Sequence, residues 1–182
     1  MEIKDNKWLT VSSNVKLTPS ITPVIIGLDK YFEEAKLKAV VTSGLRDAVD
    51  QLRVIRQYLT LKGLDKKYPH AMACQVDDFA NEEYAWQMAW SNLLNIGVII
   101  NPPLKARCLM DYKNKNGVNL KGYEFKQTPH ASGTALDIGG GANGIADEVK
   151  VIEKAAQDKK LGIISFLPER ENNAIHINVK KR

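Results

Sequence analysis

The segment from Ala174 to Val179 constrains the fold most, because Ile and Val alternate along it with smaller or polar residues. Successive side chains of a β-strand point to opposite faces of a sheet. The alternation therefore predicts a half-buried strand, with His176 facing away from Ile175 and Ile177. A strand of this kind needs partner strands and a covering layer, so the rest of the chain must supply both.

Helix-like and strand-like segments follow one another along the rest of the chain. Thr22 followed by Pro23 is typical of a helix N-cap with Pro in the first turn. The predicted helices are 22–35, 49–59 (with Gly63 ending it), 78–94 and 145–158. The predicted strands are 39–43, 98–100, 135–138, 161–167 and 174–179. Residues 64–77 are a predicted loop, and residues 111–122 a predicted hairpin or exposed loop. This order predicts an α+β fold with a small, mainly antiparallel sheet on which the helices pack.

Length and composition limit the number of domains and the kinds of partner. A chain of 182 residues with 44% hydrophobic residues buries one core, so we expect a single domain over residues 1–182. There is no apolar run of about 20 residues for a membrane span. Because no apolar run follows the charged N-terminus, we expect no secretory signal there, either because it was removed or because it never existed. The net charge of +5 favours anionic partners, but Lys and Arg are dispersed, so we expect no specific nucleic-acid binding. Separately, we expect a monomer.

Two of the three histidines occur in a pattern that is typical of a metal site. His130 precedes Asp137 by seven residues, and a turn at Ser132-Gly133 would fold this segment back on itself. His176 lies in the alternating strand. Two imidazoles and one carboxylate give Zn²⁺ three protein ligands and leave a fourth position for water, as in catalytic zinc sites. Each of these features alone occurs in many proteins that bind no metal. The prediction of a zinc site rests on the three residues occurring together.

Three short elements resemble those of the M15 metallopeptidases. Residues 41–46 (Val-Thr-Ser-Gly-Leu-Arg) resemble the Ser-Gly-x-Arg element, residues 130–137 the His-x-x-Gly-x-Ala-x-Asp element, and residues 175–177 (Ile-His-Ile) the last element. The family contains D-Ala-D-Ala carboxypeptidases and dipeptidases and the bacteriophage endolysins that cut L-alanyl-D-glutamate bonds. The resemblance implies a zinc-dependent hydrolase of peptidoglycan stem peptides. Without a signal, such an enzyme would be made in the cytoplasm and reach the cell wall after lysis or from a phage particle.

The resemblance also implies roles for individual residues. It implies the same three zinc ligands, and it implies that Arg46 lies near the substrate or the oxyanion that develops in the transition state. A fixed guanidinium there would stabilise the growing negative charge. The alternative for Arg46 is a salt bridge at the end of a strand, with Asp47 or Asp50.

One position departs from the family pattern. Many members carry Glu or Asp three residues before the last His, as the general base, and this chain carries Asn173 there. An amide cannot accept that proton at neutral pH. Glu169 and Glu171 are the nearest carboxylates, and Glu171 is our predicted catalytic residue. The departure also favours an alternative, a catalytically weak or silent module that binds the cell wall or forms part of a virion.

The glycines at 139–144 permit a different interpretation. They match G-x-G-x-x-G between a predicted strand and a predicted helix, which is the context of a dinucleotide site. However, only two further strands fit before Arg182, too few for the rest of a doubly wound sheet. The pattern therefore favours a glycine-rich loop beside the metal site.

Overall fold

Five strands form one mixed sheet. They are β1 (Leu9–Val11), β2 (Ala39–Ser43), β3 (Ala135–Gly139), β4 (Ile163–Glu169) and β5 (Ala174–Val179). Their order in the sheet is β1-β2-β3-β5-β4; β1 and β2 are parallel, and the other three pairs are antiparallel. With helices packed on this sheet, the α+β class that we predicted is confirmed. Strand β1 is not among the predicted elements, because three residues are too few to show an alternating pattern.

The computed structural model describes residues 5–66, 72, 75–77, 80, 128–141 and 144–182. Contacts within the chain divide it into two compact units, one of Met1–Arg46 with Pro129–Arg182 and the other of Asp47–Thr128. The whole sheet belongs to the first unit. The single domain over 1–182 stays a prediction.

Three helices accompany the strands in the described ranges: α1 (Thr22–Glu34), α2 (Ala48–Leu61) and α3 (Ala146–Ala156). Pro23 lies in the first turn of α1 as predicted, but the N-cap is Ile21 and not Thr22. The reason is Thr18, whose hydroxyl and carbonyl oxygens both accept from the Ile21 N–H. In the second unit, the Asp47 side chain caps α2 by accepting from the Asp50 N–H at 2.9 Å.

The core of the first unit lies on one face of the sheet. Helix α1 contacts β1 and α3, and α3 contacts β4. The fully buried side chains of this layer include Leu28, Phe32, Val41, Ile138, Ile152, Ile175 and Ile177. Burying one such side chain is worth about 1.5–3 kcal/mol. This burial determines which face of β3 and β5 points toward the core. The side chains that alternate with the buried ones therefore point to the opposite face of the sheet.

The remaining differences from the sequence predictions concern element ends and the middle of the chain. Strand β4 begins two residues later than predicted, because Gly162 has the left-handed φ of +79°. In the predicted loop over 64–77, the described residues 64–66 and 75 are not helical, in agreement with the prediction, whereas Met72, Val76 and Asp77 are helical, which corrects it at those three positions. Apart from helical Ala80, the predicted helix at 78–94, the predicted strand at 98–100 and the predicted hairpin or loop at 111–122 lie outside the described residues.

No helix within the described ranges is long and apolar enough to cross a bilayer.

Candidate metal centre

The register of β3 and β5 places Asp137 directly opposite His176. Both side chains point to the face of the sheet that lies away from the core, because their neighbours Ile138, Ile175 and Ile177 point inward at 0% exposure. We call this the open face. The prediction that His176 faces away from the two isoleucines is confirmed.

His130 reaches the same place from the turn that precedes β3. The Gly133 N–H donates to the His130 carbonyl at 3.1 Å, and the Thr134 N–H donates to the Pro129 carbonyl at 2.8 Å. Gly133 has the left-handed φ of +68°, and a Cβ there would stand 2.6 Å from the Thr18 methyl. The turn that we predicted at Ser132-Gly133 therefore folds His130 back over Asp137, and this turn needs its glycine.

Three ligand-type atoms converge on the open face. His130 Nε2 stands 3.1 Å from both Asp137 Oδ1 and His176 Nδ1, and His176 Nδ1 stands 3.0 Å from Asp137 Oδ1. The three side chains are 7%, 13% and 19% exposed, so they are shielded without being sealed from solvent. Among the described residues, this is the group of His, Cys, Asp and Glu that is close enough to hold a metal ion.

Hydrogen bonds on the far side of each ring set the tautomers. His130 Nδ1–H donates to the Gly44 carbonyl at 2.7 Å, and His176 Nε2–H donates to Asn178 Oδ1 at 3.0 Å. Asn178 in turn donates to Ser165 Oγ at 3.0 Å. With these protons placed, each ring in its neutral form carries its lone pair on the nitrogen that faces Asp137. Two lone pairs and a carboxylate oxygen repel one another, and a shared cation relieves the repulsion.

Arg46 contacts the other oxygen of the same carboxylate. Its Nη2 donates to Asp137 Oδ2, and its Nε donates to Ser43 Oγ at 2.9 Å. A β-bulge between Val41 and Ser43 places Ser43 opposite Asp137, and bulges commonly redirect side chains beside functional sites. Arg46 thus orients the Asp137 carboxylate; its predicted role near the oxyanion of a substrate stays a prediction.

The charges in the cluster act strongly on its titratable groups. Burial alone would raise the pKa of Asp137. In the metal-free protein, when protons occupy the ring nitrogens that face it, hydrogen bonds from the two histidines and the charges of His130 and Arg46 outweigh burial, so this pKa lies well below its usual range. Burial lowers the pKa of His176, but the hydrogen bond and charge of Asp137, the Asn178 hydrogen bond and the charge of Glu169 together raise it. Asp137 is therefore the anionic partner of the cluster at neutral pH.

The predicted catalytic residue Glu171, and Asn173 at the position of the family's general base, are not part of the group formed by His130, Asp137 and His176. Glu171 is exposed in a short 3-10 helix (Arg170–Asn172) between β4 and β5. Asn173 has a left-handed φ of 49°, a conformation that Asn tolerates well. Its Nδ2 donates to the carbonyls of Gly140 and Gly141 at 3.2 and 3.1 Å. Asn173 is thus a clamp on the glycine-rich loop, and a carboxylate could not donate those hydrogen bonds.

That loop does not have the surroundings of a dinucleotide site. Strand β3, which leads into it, is antiparallel to both of its neighbours, whereas dinucleotide sites use parallel strands. The buried Glu148 side chain of α3 accepts from the Gly141 N–H at 3.3 Å, and a negative charge there opposes a phosphate. The geometry favours the glycine-rich loop that we predicted.

Sequence reasoning missed the groups that orient the rings. Asn178 could have been found, because it is two residues beyond His176 on the same face of a strand. Gly44 lies in the Ser-Gly-x-Arg element, but the role of its backbone carbonyl cannot be inferred from a residue type, and Ser165 carries no sequence signal. Comparisons with protein-family models, with curated proteins and with solved structures each found no match to this chain.

Proposed function

We propose that this chain is a zinc-dependent peptidase that hydrolyses peptidoglycan stem peptides. The observation that carries the proposal is the convergence of His130 Nε2, Asp137 Oδ1 and His176 Nδ1 within 3.1 Å of one another. Ligand atoms of a tetrahedral zinc ion with bonds of about 2.0–2.1 Å stand about 3.3 Å apart. The triangle is close to that size, and its fixed tautomers present lone pairs to a cation.

The donor set favours a catalytic site over a structural one. Structural zinc sites usually have four protein ligands, often thiolates, whereas three ligands of the His and carboxylate type leave room for water and substrate. When bound, zinc supplies Lewis-acid chemistry, polarising the scissile carbonyl and making water acidic near pH 7. The protein's own contribution is orientation: Gly44 and Asn178 hold the two rings, and Arg46 holds Asp137.

The choice of peptidoglycan peptides rests on the resemblance. All three elements that resemble the M15 metallopeptidases supply contacts of the same centre: 41–46 supplies Ser43, Gly44 and Arg46, 130–137 supplies two ligands, and 175–177 supplies the third. Such an enzyme would reach the wall after lysis or from a phage particle, and its positive net charge suits an anionic wall.

Metal analysis combined with a cleavage assay tests the proposal. We expect about one zinc per chain, and release of peptide fragments from purified cell walls that stops with chelator and returns with zinc. His130→Ala and His176→Ala should lose both the metal and the cleavage. His70→Ala is the matched control, since the third histidine belongs to none of the three elements. A wild-type protein that binds no divalent metal would contradict the proposal.

The alternative is a silent module that keeps the metal without cleaving. The clamp formed by Asn173 favours it, because the position of the family's base is committed to holding a loop. Zinc bound at one per chain, with cell-wall binding but no cleavage of wall fragments or D-amino-acid peptides, would support the silent module and contradict the peptidase.

A further inference from the structure

Strand β4 brings one carboxylate to the open face beside the metal centre. In the pairing of β4 with β5, Leu167 lies opposite His176, and Glu169 lies opposite Ala174. Side chains two residues apart on a strand share a face. Glu169 therefore lies on the open face, in the row of residues next to the one that holds Asp137 and His176.

Between Glu169 and β2, the other positions of this row carry only small residues. Ala174 pairs with Gly139 across β3 and β5, so neither position carries a side chain larger than methyl. Diagonal neighbours on a sheet have Cβ atoms about 7–8 Å apart, within reach of long side chains. The negative charge of Glu169 also acts on the His176 imidazole. A water or a peptide carbonyl above His176 would thus lie toward Glu169, with no bulky group of that row between them.

Within the part of the chain that the structure describes, the carboxylate of Glu169 is held by a single hydrogen bond. Asn172 Nδ2 donates to Glu169 Oε2 at 2.9 Å, and within the described ranges Oε1 accepts no hydrogen bond from protein. The other acidic groups near this end of the sheet differ from it. Glu148 is buried and accepts from Gly141, and Glu171 lies in the exposed 3-10 helix beyond the end of β4.

We propose that Glu169 is the general base of this site. The sequence predicts Glu171 for this role. The inference rests on the proposed peptidase function. Glu169 accepts one proton from the attacking water as the water oxygen bonds to the carbonyl carbon. It then passes this proton to the leaving nitrogen as the carbon–nitrogen bond breaks. The products are an amine and a carboxyl group that keeps the second proton of the water, and Glu169 returns to its ionised form.

A pair of isosteric variants tests the assignment. Glu169→Gln removes the proton acceptor and keeps an oxygen for Asn172, so the fold and the zinc content should be unchanged. We expect kcat on a stem-peptide substrate to fall about 100-fold or more, the size of a general-base contribution, with little change in KM. Glu171→Gln is the matched control in the adjoining turn and should stay within about twofold of wild type, because its carboxylate lies outside the site.

Asn172→Ala provides a second measurement that does not touch the carboxylate. Losing the hydrogen bond that holds Glu169 should lower kcat by about fivefold, since one hydrogen bond is worth about 1 kcal/mol. Equal activity of the Glu169→Gln and Glu171→Gln proteins would overturn the inference, and so would a Glu169→Gln protein that loses its zinc. Both results leave the peptidase proposal intact as long as the wild type cleaves; an inactive wild type with zinc bound would count against the peptidase itself.

Discussion

The two faces of the sheet differ in the interactions that their side chains make. On the core face, Ile175 and Ile177 are fully buried against α1 and α3, and their contribution is apolar burial. On the open face, His176 and Asn178 alternate with them and make directional contacts with His130, Asp137 and Ser165. One strand therefore carries both the core and the metal centre, on opposite sides.

The difference teaches that fold and site place separate demands on the sequence. Apolar burial tolerates related side chains of similar volume. The open face brings two ring nitrogens and a carboxylate within 3.1 Å, an arrangement that only a proton or a cation stabilises. Substitutions on the core face should therefore change stability with or without metal, whereas those on the open face should act chiefly through metal affinity.

The largest effect is expected on the core face. Ile177→Ala should lower the free energy of unfolding by about 2–5 kcal/mol, because it removes buried methyl groups and leaves a cavity. The loss should be the same in chelator and in zinc, as measured by denaturant unfolding. Ile164→Ala, at a position that is 68% exposed on the neighbouring strand, is the control and should change stability by about 0.5 kcal/mol or less. Equal losses for the two variants would erase the distinction between the faces.

A smaller effect is expected on the open face. Asn178→Ala should weaken zinc binding about 10–100-fold, because His176 loses the acceptor that holds its Nε2–H and thereby its ligand nitrogen in place. Asn178→Asp keeps an acceptor oxygen and should restore most of the affinity in a competition titration with a metal-sensitive dye. Unfolding in chelator should change by only about 1 kcal/mol in the Ala variant. Unaltered zinc affinity of Asn178→Ala would mean that the ring needs no such support.

The smallest expected effect is the dependence on pH of the stabilisation by zinc, whose sign follows from the protonation of His176. In the metal-free protein the pKa of His176 is raised, so its protonated form contributes stability that is fully present below about pH 6.5 and is lost as the pH rises through the raised value. Zinc needs the neutral ring, and Asp137 is ionised throughout this range because its pKa is well below the usual value. The stabilisation by zinc should therefore increase with pH from about pH 5 to about pH 8.

The stabilisation by zinc is measured as the difference in thermal unfolding temperature between protein with zinc and protein with chelator, from about pH 5 to about pH 8. The His176→Ala protein should show a small difference with little dependence on pH. A stabilisation by zinc that decreases as the pH rises would contradict zinc binding through the neutral His176 ring.

Much of the fold was predictable because its patterns are local. The strands at 39–43 and 174–179 were predicted with the bounds that the structure has, since β-branched runs and strict alternation extend over whole strands. The N-cap of α1 was not, because Thr18 and not Thr22 forms the capping contacts. Strand β1 pairs in parallel with β2 across a distance of about thirty residues, and no local pattern carries that pairing.

The three residues of the candidate metal centre follow from sequence, because His130, Asp137 and His176 are of the residue types that bind zinc and the resemblance joins them. Their convergence was decided by tertiary structure. The register that sets Asp137 against His176, the bulge that turns Ser43, and the Gly44 carbonyl behind His130 all depend on contacts between residues far apart in the chain. Periodicity reports which side of a strand is buried, but only the packed sheet decides which side chains meet on the other side.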